Sequence, residues 1–401
     1  MAASRLEAGA NAEVSGPLRS VRIRGYRSAY DVVLDPGPLT ALVGEAGSGK
    51  SNLLVAIWKL LAAHRPSLAP EDVARGRPGA VLIEASLAGG GELRVSATPG
   101  GGPESRFGSP PAAVFLPASL RAGALIARGG DHSAAVERAL EQAPSPPLAL
   151  IRTVESWVAD AVSGLVLMIE EPELFLRPHA QRALYRMLRE LAAHGNQVLY
   201  STHAATFLNV ARLEELAFVD RGQDGATRIR RPRPLPAAEA FRAANEFDAE
   251  RGELLLARAA ILVEGRTEKL VFPFLFRALG YDADAEGISI VECGGKPNIP
   301  IIAEVCNLVG LPYLVVHDRD AEPRRRPIAS ERSVNALIAE VAGPERTIEL
   351  ARDFEAVAEL HGHRHKPTRA VEWFAIPAQA HEVPEPLAVA VERAVALARR
   401  A

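Results

Sequence analysis

Three short stretches bring together residue types that handle nucleotide phosphates. Gly44-Glu-Ala-Gly47-Ser-Gly49-Lys50-Ser51 spaces its glycines so that backbone N–H groups can turn toward an anion, and it ends in an ammonium and a hydroxyl. In such a loop Lys50 reaches the β- and γ-phosphates and Ser51 ligates Mg²⁺. Five apolar residues then precede Glu170-Glu171-Pro172-Glu173, which puts acid at the end of a buried strand, Glu170 toward the metal and Glu171 toward an attacking water. After the next apolar run comes Ser201-Thr202-His203, where His203 can sense a γ-phosphate. The expected ATP site therefore comprises Gly44, Gly47, Gly49, Lys50, Ser51 and Glu170, with Glu171 and His203 as catalytic groups.

A second group of residues suits a divalent ion. Glu264 ends the apolar run "ILV", and Glu268 lies four residues on, where a helix begins. Past "LPYLVV", Asp318 and Asp320 are spaced i and i+2, which in an extended segment turns both carboxylates the same way. Clustered carboxylates repel, so a folded chain keeps them together when a cation neutralises them. Oxygen ligands alone suit Mg²⁺ or Mn²⁺ and not zinc. Either motif by itself reads better as a pair of solvated strand ends. The run Arg324-Arg325-Arg326 directly follows the aspartates and suits contact with a phosphate backbone.

These residues work only if regular elements hold them. "TALVG" and "SNLLVAIWKLLAA" predict a strand before the first loop and a helix after it. "VRIRGYRSAYDVVLDPGPLTALVG" alternates like two strands about a Pro-Gly turn, residues 80–98 read as a hairpin, and "PGGGPESRFGSPP" reads as a loop. Residues 133–163 are mostly helical in pattern, "LVLMI" and "QVLYST" are buried strands flanking a helix closed by Gly195, and "LAFVDRGQDGATRIRR" is a hairpin. Strand-then-helix patterns resume at "RAAILVEGRTEK", with further strands in "GISIVE" and "PYLVV". The expected organisation is α/β throughout: a disordered stretch over 1–19, an ATPase domain over 20–235, a connector over 236–257, a second α/β domain over 258–378 and a closing helix over 379–401.

Composition narrows the class. The 401 residues suffice for two cores, and a net charge of −3 confines any nucleic-acid surface to local patches. Two cysteines provide no disulfide framework, and no apolar run approaches membrane length, so a cytoplasmic, membrane-free setting is expected. Of 46 basic residues only five are lysines: Lys50, Lys59, Lys269, Lys296 and Lys366. In so arginine-rich a chain, each lysine marks a place where a compact ammonium could be wanted.

The order phosphate loop, "IEEPELFLRPHAQ", "STHAATFL" resembles ABC-type ATPases of the SMC/RecF kind. It departs from them in two respects: Gln142, the one glutamine between Lys50 and Glu170, does not follow a strand, and no "LSGGQ"-like signature is present beyond Gly129-Gly130. Slow or absent hydrolysis is consistent with that departure. "Strand-Glu-Gly" followed some 55 residues later by "strand-Asp-x-Asp" resembles a Toprim domain. "VEGRTEK" resembles the form found where Toprim follows an ABC-type ATPase, in the overcoming-lysogenisation-defect (OLD) family of ATP-dependent endonucleases. That resemblance implies two metal ions, one on Glu264, Asp318 and Asp320 and the other on Glu268, Asp353 and Glu355, with Lys366 stabilising the phosphate transition state and Glu264 counted among the catalytic groups. It also implies DNA as substrate, Lys296 at a DNA phosphate, a homodimer through the ATPase domain, a helicase-like partner in one subgroup, and a role in prokaryotic defence or repair. The competing expectation is a nucleotide-gated DNA-binding or sensor protein whose acidic site is vestigial.

Overall fold

The computed structural model describes residues 17–62, 69–74, 79–97, 105–118, 146–208, 210–236, 249–319, 329–351, 354–357 and 383–400. They form two compact units, one over residues 1–207 and 214–231, the other over 208–213 and 232–401. The expected N-terminal disorder over 1–19 falls almost entirely outside the described residues, as do Gln142 and Gly129-Gly130.

The first unit contains two sheets. The antiparallel one runs β2-β1-β4-β5-β6, built from β1 (Leu18–Tyr26), β2 (Ala29–Leu34), β4 (Val81–Leu87), β5 (Glu92–Ala97) and β6 (Ser105–Phe107). The other runs β11-β10-β3-β9-β8-β7, with β3 (Leu39–Val43), β7 (Ala112–Leu116), β8 (Leu165–Glu170), β9 (Gln197–Thr202), β10 (Leu216–Arg221) and β11 (Thr227–Arg230). All pairs in it are parallel except β10–β11. Helix α1 (Lys50–Leu61) buries Leu53, Leu54, Ile57, Trp58, Leu60 and Leu61 in one core with Val21, Ile83 and Val95 of the first sheet and Phe115, Val166 and Leu199 of the second. A helix apolar around most of its circumference has to be covered on both sides. Two further helices, α2 (Pro146–Ala159) and α3 (Pro178–Ala193), pack on each other, and α3 also packs on β3 and β9.

Two expectations change here, and one strand is new. The segment from Val21 to Gly44 holds three strands and not two: its tight turn is Arg27-Ser28, with Arg27 at φ 48°, and Pro36-Gly37 carries the chain from one sheet to the other. The stretch read as a loop contains β6, and "AAVFL" forms β7, the parallel neighbour of β8. Both strands are short, and their pairing is supplied by partners distant in sequence.

Asp72 ties the Arg27 turn to α1. Its carboxylate, 1% exposed, is 2.7 Å from Lys59 and 2.8 Å from Arg27 and accepts the Ala69 N–H at 2.9 Å. Burial pushes this carboxyl up, but the Lys59 hydrogen bond, the Ala69 N–H and the two cations outweigh it and hold the pKa below the usual value. The stabilisation is therefore present above the unfolded-state pKa and disappears as pH falls through the lower folded value. Asp72→Ala is expected to cost about 3–5 kcal/mol at neutral pH. Denaturant melts at a series of pH values check this, the gap to wild type narrowing below about pH 4.

The second unit is a parallel sheet in the order β13-β12-β14-β15, from β12 (Ala259–Val263), β13 (Ile288–Glu292), β14 (Tyr313–Asp318) and β15 (Thr347–Leu350). Helices α4 (Arg266–Ala278), α5 (Ile299–Val309) and α6 (Ala329–Ala342) make the crossovers. The closing helix α7 (Glu385–Ala398) is not an appendage: Leu387, Ala390, Val391 and Ala394 share a core with Ile261 and Val263 of β12 and Phe272 and Phe276 of α4. The segment read as connector likewise ends in this unit, with Leu254 and Leu255 buried. β15 was not anticipated, since "TIEL" is too short to announce a strand.

Candidate functional sites

In the first unit the phosphate loop leaves β3 and enters α1. Gly49 caps the helix at φ 113°, and a Cβ there would lie 2.1 Å from Thr227 Oγ1 and 3.0 Å from Ser28 Oγ. Thr227 opens β11 and lies 2.8 Å from Ser28 Oγ and 3.0 Å from the Ser48 carbonyl, so two distant hairpins brace the back of the loop. Gly49→Ala is expected to destabilise the unit by about 2 kcal/mol and to weaken nucleotide binding, as read by melting and by titration with a fluorescent ATP analogue. Lys50 Nζ donates to the carbonyls of Gly44 (2.7 Å) and Glu45 (2.8 Å), folded across its own loop. Burial holds its ammonium pKa below the usual value, opposed by the charges of Glu171, Glu173 and Glu45. Ser51 is exposed on the first turn of α1. A glycine-built anion cradle with a lysine and a hydroxyl at its mouth fits a nucleoside triphosphate with Mg²⁺.

The acids stand beside it. Glu170 ends β8 in register with Ser201 of β9, and its Oε2 accepts the Ala118 N–H at 3.2 Å. Glu171 adopts a left-handed backbone (φ 46°) held by its N–H to the Ser201 carbonyl (3.0 Å), and its Oε1 lies 3.8 Å from His203 Nε2. A non-glycine residue held there stores strain of the kind found at reacting sites.

The residue missed in the sequence is Glu173. Its Oε1 accepts both the Thr202 hydroxyl (2.8 Å) and the His203 N–H (2.7 Å), while Oε2 is buried with no hydrogen-bond partner. Glu173 thus sets where His203 stands; a third acid in "EEPE" was the available signal. For Glu173→Ala we expect ATP turnover to fall by roughly 10²-fold with nucleotide affinity little changed, a split visible in kcat against Kd.

In the second unit, Glu264 and Asp318 stand at the carboxyl ends of the adjacent strands β12 and β14, where ligands of open parallel sheets bind. Glu264 Oε1 accepts the Asp318 N–H at 2.7 Å. Glu268, 8% exposed on the first turn of α4, folds back so that its Oε2 is 3.4 Å from where a Cβ on Gly265 would sit. Lys296, expected at a DNA phosphate, is buried (7% exposed) and turned inward: its Nζ donates to the Asp318 carbonyl at 2.5 Å and lies 3.6 Å from Glu264 Oε1. Asp320, Asp353, Lys366, Arg324, Arg325 and Arg326, and the side chain of Glu355, lie outside the described residues. Among the described residues no group of three His, Cys, Asp or Glu side chains could hold a metal ion by itself. The acids at these strand ends offer oxygen ligands, and an ammonium already stands against Glu264, so the place suits a hard cation. Cys293 and Cys306 are buried free thiols whose pKa burial raises, which fits packing and not metal or redox chemistry.

Residues 255–320, which hold this acid cluster, match the family model described as overcoming lysogenization defect protein-like, TOPRIM domain. Residues 143–209, from α2 to just past His203, match that of an AAA domain, putative AbiEii toxin, Type IV TA system. An OLD nuclease of Thermus scotoductus is 34% identical over 226 residues, covering 51% of this chain and 43% of that protein. The Old nuclease of Escherichia phage P2 is 27% identical over 165 residues, 39% of this chain and 28% of that one. The chain thus spans less than half the length of each. Among solved structures, the SMC head domain of Thermotoga maritima superposes with a TM-score of 0.37 at 18% identity, covering 54% of this chain and 99% of that one. The first unit thus contains a segment that matches an AAA-type ATPase model and the second a segment that matches a Toprim model. About half of this chain is similar to an OLD nuclease, and the acid-bearing segment of the second unit matches an OLD-like Toprim model. Among the described residues no helix is long and apolar enough to cross a membrane.

Proposed function

We propose that this chain is an ATP-binding, divalent-metal-dependent DNA endonuclease or nickase, with nucleotide binding as its control. The observation that carries the reading is that Glu264 and Asp318 stand at the carboxyl ends of adjacent parallel strands, with Glu268 on the first turn of the helix after β12, inside the segment that matches Toprim.

On this reading Lys50 gives up the loop carbonyls for the β- and γ-phosphates, Glu171 accepts a proton from the attacking water, and Glu173 keeps His203 at the γ-phosphate. In the Toprim unit Glu264 and Asp318, with Asp320, would hold one Mg²⁺ or Mn²⁺, and Glu268, with Asp353 and Glu355, the other. Bound ions would activate water and stabilise the leaving oxygen of an in-line displacement. Lys366 would meet the charge that develops on the phosphate, and Arg324, Arg325 and Arg326 the flanking backbone. A homodimer through the ATPase unit, a helicase-like partner, a cytoplasmic setting and a place in genome defence or repair belong to the same proposal.

The test incubates the purified chain with supercoiled plasmid and Mn²⁺ or Mg²⁺, with and without ATP. Metal-dependent nicking or linearisation is expected, and the ATP lanes give the sign of control. No cleavage under any condition, with DNA still bound in a nucleotide-dependent way, would favour the sensor with a vestigial site.

A further inference from the structure

We propose that Lys296 is a built-in counter-ion of the Toprim site: its ammonium holds the ends of β12 and β14 together before metal arrives and gives way to the incoming divalent ion. This rests on the metal-site reading above.

The loop after β13 is shaped to deliver this lysine. The Cys293 N–H donates to the Val263 carbonyl at 2.9 Å and the Gly295 N–H to the Glu264 carbonyl at 2.8 Å, which ties the loop to the end of β12. Gly295 adopts φ 117°, a backbone that L side chains rarely hold, and the chain then drops Lys296 inward. The ammonium meets the Asp318 carbonyl from one side and Glu264 Oε1 from the other, and the same Oε1 takes the Asp318 N–H. Three groups from three segments are thereby locked together, and the lysine is 93% withdrawn from solvent, since 7% of it is exposed.

A buried ammonium is tolerated where carboxylate and carbonyl oxygens surround it, and clustered carboxylates are tolerated where a cation neutralises them. Lys296 and Glu264 meet these conditions for each other, with the Asp318 carbonyl as the second oxygen. A divalent ion on Glu264 and Asp318 takes over the neutralising role and repels the ammonium, so ion and lysine compete for one oxygen. The competition weakens metal binding in the absence of substrate. Once displaced, the flexible four-carbon stem can carry the ammonium to a substrate phosphate bound beside the metal. Lysine, and not arginine, suits a group that must both fill the site and leave it.

The test is Mn²⁺ affinity, measured by calorimetry on the full chain without DNA, for wild type, Lys296→Met, Lys296→Arg and Asp318→Asn. Methionine keeps the stem and removes the charge. Lys296→Met should bind Mn²⁺ about tenfold more tightly than wild type, and Lys296→Arg no more tightly than wild type. Metal-free Lys296→Met should also melt lower than wild type, with Mn²⁺ restoring more of its stability than it adds to wild type. Unaltered ATP-analogue binding and circular dichroism establish that the variants are folded. If Lys296→Met binds Mn²⁺ no more tightly than wild type while Asp318→Asn loses it, the counter-ion idea is wrong and the metal site stands. If wild type and Lys296→Met both fail to bind Mn²⁺, the metal-site reading falls and takes this inference with it.

Discussion

Lys50→Ala should bind ATP at least about 10²-fold more weakly than wild type while melting within about 5 °C of it. The two halves of that result have separate causes. Lys50 is the one ammonium hydrogen-bonded into the loop among the described residues, and without it the γ-phosphate loses its nearest cation. Its present partners are main-chain carbonyls of the same loop, so truncation leaves two acceptors under-satisfied and opens no cavity in the core shared by α1 and the two sheets. Unpaired carbonyls cost about 1–3 kcal/mol, offset in part because burial already opposes the charged ammonium. Equilibrium binding of a fluorescent ATP analogue beside a thermal melt separates the two effects. Unchanged affinity would remove the phosphate-loop assignment, and a collapsed melt would make Lys50 a structural residue.

The second large effect is expected from Asp318→Ala combined with Asp320→Ala. Metal-dependent cleavage should fall by at least roughly 10³-fold, with ATP binding retained. What makes this substitution informative is that two contacts organising the site through Asp318 are main-chain ones: its N–H holds Glu264 and its carbonyl holds Lys296. Removing the side chain deletes a proposed metal ligand without deleting those anchors, so β12 and β14 should keep their register. Plasmid cleavage in Mn²⁺ measures the loss, and full residual cutting by a folded double variant would refute the site.

The amino-acid sequence carried the chemistry of both sites because that chemistry is local. The phosphate loop lies in eight consecutive residues, and "VLMIEEPE", "LYSTH" and "ILVEG" each append their functional group to a strand whose apolar run announces it. Helix α1 and strands β8, β9, β12 and β14 were legible for the same reason, since a run buried on both faces needs no partner to declare itself. What the sequence could not disclose depends on partners far away in the chain. β7 and β15 exist as strands only because β8 and β14 pair with them, and Pro36-Gly37 is a passage between sheets only once both sheets are built. α7 was legible as a closing helix, but that its small apolar face packs against β12 and α4 in the core of the second unit shows only in the fold. Two roles turned on direction. Glu173 and Lys296 lie inside motifs that are plain in the sequence, yet where a carboxylate or an ammonium points is decided by the groups packed around it. Tertiary structure turned Glu173 to His203, 30 residues away, and turned Lys296 inward to Asp318, 22 residues away. Residue type and spacing determine which charges a chain possesses, whereas burial determines which of them must neutralise one another.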